Sequence, residues 1–123
     1  MARILIVDDE RDVLLALRQL LTQHGHETRE ATNGLAGLEL FQNQFFDLVI
    51  TDLKMPCMDG LSFLREMEKL DPAMPVIVLT AYSALKGAVE ERGRGAYVQV
   101  AKPFKSGELL RAVAHVLDVA KSA

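Results

Sequence analysis

A chain of 123 residues is long enough for one domain with a single buried core and too short for several. Half of its residues are apolar and a quarter are charged, which excludes a disordered chain. The net charge of −3 argues against a broadly basic nucleic-acid surface, and the single cysteine, Cys57, excludes an internal disulfide.

Met1-Ala2-Arg3 leads directly into a strand-like run, Arg3 to Val7, without the apolar stretch of a signal peptide. No run approaches the roughly 18 apolar residues of a membrane span. A cytoplasmic chain without membrane contact is expected. Asp12 to His24 carries Val13, Leu14, Leu17, Leu20 and Leu21 at helical spacing and is stopped by Gly25. His26 to Ala31 is a more polar strand, suited to a sheet edge. Asn33-Gly34 punctuates, and Leu35, Leu38 and Phe41 mark a second helix. Asp47 to Thr51 reads as a buried strand. Pro56 and Gly60 bracket a loop before a helix carrying Leu61, Leu64 and Met67, closed by Asp71-Pro72. Val76 to Leu79 is the fourth strand, ended by Thr80-Ala81. A helix over Ser83 to Arg92 contains Gly87 and is followed by Gly93, each of which weakens it by about 0.5–1 kcal/mol relative to alanine. Ala96 to Ala101 is the fifth strand, and Ser106 can cap a last helix with Leu109, Leu110, Val113, Val116, Leu117 and Ala120 on its stripe. Five strand–helix repeats in so short a chain predict an α/β fold: a doubly wound, parallel five-stranded sheet with helices on both faces.

In such a sheet, ligands bind outside the carboxyl ends of the strands. Asp8 and Asp9 follow the first strand, Asp52 the third and Lys102 the fifth, so the fold brings them to one edge. Taken separately, each has an ordinary explanation. Asp8, Asp9, Glu10 and Asp12 suit the positive end of the first helix, Asp52 and Thr80 suit turns, and a lone lysine is usually solvated. Together they are more specific. Acidic strand ends side by side repel unless a cation lies between them, and an all-carboxylate set without histidine or cysteine suits magnesium better than zinc. Lys102 adds a point charge able to neutralise a phosphoryl oxygen, and Thr80 offers a hydroxyl to the same pocket.

Four blocks carry a resemblance: Ile4-Leu5-Ile6-Val7-Asp8-Asp9-Glu10; Asp47 through Pro56 with Asp59-Gly60; Val76-Ile77-Val78-Leu79-Thr80-Ala81; and Lys102-Pro103-Phe104. In this order, each at a strand end, they resemble the receiver domain of the two-component response-regulator family over essentially the whole chain. The resemblance implies a flavodoxin-like (βα)5 fold, with residues 1–123 forming a single receiver domain and 119–123 a tail. It implies that Asp52 is the phosphoacceptor and that Asp8 and Asp9 bind Mg2+, Asp9 directly and Asp8 through water. It further implies that Asp52 and the backbone carbonyl of Lys54 complete the metal ligands. It also implies that Lys102 and Thr80, with the N–H groups of Leu53 and Ala81, hold the phosphoryl oxygens. The implied phosphodonor is a histidine kinase or a histidine phosphotransfer protein. A homodimer or a separate effector domain is the implied route to output, with no direct nucleic-acid contact by this domain.

One departure stands out. The family carries an aromatic residue three positions before the lysine, where this chain has Gln99, with Tyr97 two residues earlier. That puts the usual coupling to an output face in question, whereas phosphorylation is expected to persist. Two other function classes fit less well. A magnesium-dependent phosphatase with an aspartate nucleophile needs an acidic residue where Lys54 stands. A flavodoxin-like cofactor module needs a phosphate-cradling loop where Asp8-Asp9-Glu10 would repel it. A stand-alone phosphorelay intermediate without DNA-binding output is the nearer alternative to a regulator's receiver. The domain is expected to act on no substrate beyond its own phosphorylation and dephosphorylation.

Overall fold

The computed structural model describes residues 1–53, 58, 60–80 and 97–122. Strand and helix alternate in it as β1 (Arg3–Val7), α1 (Arg11–Gln23), β2 (Glu27–Ala31), α2 (Gly34–Asn43) and β3 (Leu48–Asp52). They are followed by α3 (Gly60–Leu70), β4 (Val76–Thr80), β5 (Tyr97–Ala101) and α4 (Ser106–Ser122). The helix expected over Ser83 to Arg92 lies outside the described residues, as do Lys54, Pro56, Cys57, Ala81 and Tyr82.

The five strands form one parallel sheet in the order β2-β1-β3-β4-β5. This is the flavodoxin-like order, with its switch point between β1 and β3. Alternation along each strand divides the core into two layers. Ile4, Ile6, Ile50, Ile77, Leu79 and Val100 pack against Leu14, Leu17 and Leu21 of α1 and Leu109, Val113 and Val116 of α4. Leu5, Val7, Val49, Val76 and Val78 pack on the other face against Phe63, Leu64 and Met67 of α3, with Leu38 and Phe41 of α2 partly buried there. The central strands β3 and β4 are buried at every position, because both of their faces are covered. The polar strand β2 is at the edge, where its charged residues reach water.

Local chemistry explains most boundaries. Gly25 ends α1 at φ 86°, its N–H donating to the Thr22 carbonyl while the His26 N–H donates to that of Leu21. That pair of bonds is a Schellman cap, whose left-handed residue favours glycine. Asn33 proves to be a helix cap as well as punctuation: its Oδ1 accepts the Ala36 N–H at 2.8 Å and opens α2 at Gly34. Ser106 is itself the first residue of α4. Residues 119–122, expected as a tail, continue that helix, because the apolar stripe through Val116 and Leu117 keeps it docked on the sheet.

Candidate functional site

At the carboxyl edge, β1, β3 and β5 deliver their charges to one place. The β1–β2 ladder runs one residue past the strand, with the Asp8 N–H donating to the Ala31 carbonyl at 3.1 Å. Asp8 is therefore held in extended backbone and is 1% exposed, while the chain turns at Asp9, which faces solvent. The turn lets two adjacent carboxylates share a site that strict strand geometry would deny them. The nearest side-chain oxygens of Asp8, Asp9, Glu10 and Asp52 all lie within 4.8 Å of one another.

Asp52 is the last residue of β3 and is buried. Its Oδ1 accepts the Leu53 N–H at 2.7 Å, so that donor serves the Asp52 carboxylate in this structure. Close packing behind β3 holds the carboxylate in place. The Gly60 N–H donates to the Leu53 carbonyl at 2.8 Å, and a Cβ on Gly60 would collide with the Asp52 carbonyl oxygen and Leu53 Cα.

Lys102 follows β5, with its backbone N–H donating to the Thr80 carbonyl at 3.2 Å. Its side chain is 13% exposed, and Nζ lies 2.8 Å from Asp8 Oδ2, 2.9 Å from Asp52 Oδ2 and 3.1 Å from Glu10 Oε1. Burial alone would lower the ammonium's pKa. The adjacent carboxylates of Asp8 and Asp52 outweigh burial and hold it above the ordinary lysine value. The Asp8 carboxyl is pushed up, chiefly by burial, against the opposing pull of Lys102 and of the Glu10 N–H, which donates to Oδ1 at 2.9 Å.

The structure therefore brings together Asp8, Asp9, Asp52 and Lys102. Thr80 ends β4 beside them and is buried. The Lys54 carbonyl and the Ala81 N–H lie outside the described residues. Gln99 is half-buried in β5 opposite Val78, on the sheet face shared by Thr80. Glu10 is the residue that sequence reasoning missed. Its place at a helix start gives it a local explanation, although three successive acidic residues at a strand end are the signal for a larger cluster.

The donor set fits a hard divalent cation. Four carboxylates cluster together and three of them contact a single ammonium, leaving a strong local excess of negative charge. Buried Asp8 Oδ2 makes no hydrogen bond of good geometry among the described residues, its close partner being the Lys102 ammonium. Oxygen-only ligands at such spacing suit magnesium.

Comparison with known proteins points to one class, the phosphorylation-linked signalling modules built on this sheet. The profile described as "Response regulator receiver domain" matches residues 4–114, and the chain belongs to that family, the receivers of two-component systems. It is 37% identical over 117 residues to sporulation initiation phosphotransferase F of Bacillus subtilis (strain 168), covering 95% of this chain and 94% of that protein. It is 42% identical over 117 residues to regulatory protein AtoC of Escherichia coli (strain K12), covering 95% of this chain but only 25% of that one. The chain thus spans nearly all of the first relative and about a quarter of the second. The CheY-like receiver domain protein of Methanospirillum hungatei JF-1 superposes with a TM-score of 0.91 at 34% identity, covering 99% of this chain and 98% of that one. The expected family and fold class are borne out. Among the described residues no helix is long and apolar enough to cross a membrane.

Proposed function

We propose that Asp52 accepts a phosphoryl group from a phosphohistidine on a histidine kinase or histidine phosphotransfer protein. One observation carries the reading. The Asp52 carboxylate ends a central strand, one oxygen fixed by a backbone N–H and the other 2.9 Å from a part-buried ammonium. In the transfer, an Asp52 oxygen attacks phosphorus and forms the acyl phosphate as the P–N bond breaks. The electron pair of that bond stays on the imidazole nitrogen. Lys102 neutralises charge on the transferred oxygens, with the Thr80 hydroxyl as a second holder. Asp8, Asp9 and Asp52, with the Lys54 carbonyl, would hold Mg2+, which when bound supplies further charge neutralisation. The domain's own chemistry is then its phosphorylation and the hydrolysis of that acyl phosphate, in the cytoplasm where its donor resides. Phosphorylation changes the conformation of an output face, with Gln99 replacing the aromatic residue of the family.

Acetyl phosphate with Mg2+ tests this reading. The expected result is one phosphoryl group per chain by intact mass, localised to Asp52 and lost in Asp52→Asn. No adduct, an adduct surviving Asp52→Asn, or repeated turnover of unrelated phosphate esters would sink it. A second reading, a relay intermediate that passes the group to another histidine, draws support from likeness across 94% of the sporulation phosphotransferase. Transfer of label from the phosphorylated chain to a histidine phosphotransfer protein tests it.

A further inference from the structure

The Lys102 ammonium is hemmed in by three carboxylate oxygens within 3.1 Å, hydrogen-bonding to Glu10 and Asp52 and ion-paired with Asp8. A phosphoryl oxygen reaching Lys102 must displace one of them. Asp8 is a poor candidate to leave, being buried and tied to the Glu10 N–H, and Asp52, buried and tied to the Leu53 N–H, must stay in place as the nucleophile. Glu10 differs on every count. Its side chain is 62% exposed, and it reaches Lys102 across 92 positions of sequence. It stands at the N-cap of α1 yet makes no capping bond with its side chain, which turns to Lys102 instead. Releasing this carboxylate to water strands no buried charge, and an exposed pair of this kind is weak.

From this arrangement we infer that Glu10 is a positioning residue, a displaceable counter-ion that occupies one N–H of Lys102 and yields it to the arriving phosphoryl oxygen. The idea rests on the phosphoacceptor reading of Asp52. Glu10 also belongs to the same group of four carboxylates. Its departure removes one negative charge from the pocket as the phosphoryl charge enters, which is when repulsion is greatest. Glu10 thereby sets a threshold for occupancy of the site and discourages weak anionic donors.

The test uses the whole chain and its Glu10→Gln variant, with Glu10→Ala as a second substitution. The probes are beryllofluoride in Mg2+, Mg2+ alone, and acetyl phosphate in single turnover. Both variants are expected to bind beryllofluoride about two- to fivefold more tightly and to be phosphorylated faster by a similar factor, as loss of a weak competing ion pair implies. Affinity for Mg2+ alone should fall by only a fewfold, as loss of one nearby charge implies, and the 15Nζ resonance of Lys102 should shift in the metal-free variants. Equal beryllofluoride affinity in wild type and variants would overturn the inference while leaving the phosphoacceptor reading intact. A tenfold loss of Mg2+ affinity in Glu10→Gln would also overturn it, making Glu10 a metal ligand. A wild-type chain that responds to neither phosphoryl probe would remove the phosphoacceptor reading, and this inference with it.

Discussion

His26 precedes β2 with its ring half-buried, and its Nδ1 accepts the Ala2 N–H at 3.0 Å, tying the start of β1 to the edge of the sheet. That bond needs a neutral ring. Burial, then the chain's amino terminus and His24, hold the pKa below the imidazole value of 6.5. A base whose pKa is depressed by folding adds stability above its unfolded pKa and loses it as pH falls through the folded value. In His26→Asn an amide oxygen can accept the same N–H without titrating. Between about pH 7.5 and about pH 5, the gap in urea midpoint should therefore move in favour of the variant. A gap independent of pH would count against this account. Residues at this scale differed in how far sequence alone revealed them. Asp8, Asp9, Asp52 and Lys102 were visible as charges at the ends of apolar runs. The tie between Glu10 and Lys102 was not, because 92 positions separate them and a glutamate at a helix start already has a local explanation.

Elements were easier to read than their junctions. Strands such as Val76–Thr80 announce themselves by β-branched apolar runs, and α1 and α3 by their stripes. Gly60, by contrast, looked like simple loop punctuation, yet it opens α3 with its Cα against the backbone of Asp52 and Leu53. The atoms in the way are backbone, so they cannot swing aside as a flexible side chain would. Gly60→Ala should lower stability by about 1–3 kcal/mol, the range for overpacking, measured by urea denaturation. It should also slow phosphorylation by acetyl phosphate, because relief of the clash moves the Asp52 carbonyl. Full stability in Gly60→Ala would show that the loop absorbs the methyl group without strain.

Across the whole molecule, the site's excess negative charge is a stability cost that a cation relieves. Because folding raises the Asp8 pKa, ionised Asp8 weakens the fold as pH rises through that value, and a bound ion offsets this. Mg2+ at about ten times its Kd should stabilise the chain by about 1.4 kcal/mol, a Tm rise of a few degrees by calorimetry. The rise should shrink on acidification, since a proton on Asp8 competes with the ion. No shift at neutral pH would mean that Asp8, Asp9 and Asp52 do not hold a metal. Apolar periodicity and turn chemistry, which act over a few neighbouring residues, were enough to specify five strands, their helices and an acidic edge. The order β2-β1-β3-β4-β5, the burial of Asp8 beside an exposed Asp9, and the cage of three carboxylates around Lys102 arose only on folding. Each depends on contacts between strands distant in sequence, and no local pattern encodes which charges then share the ammonium's three hydrogens.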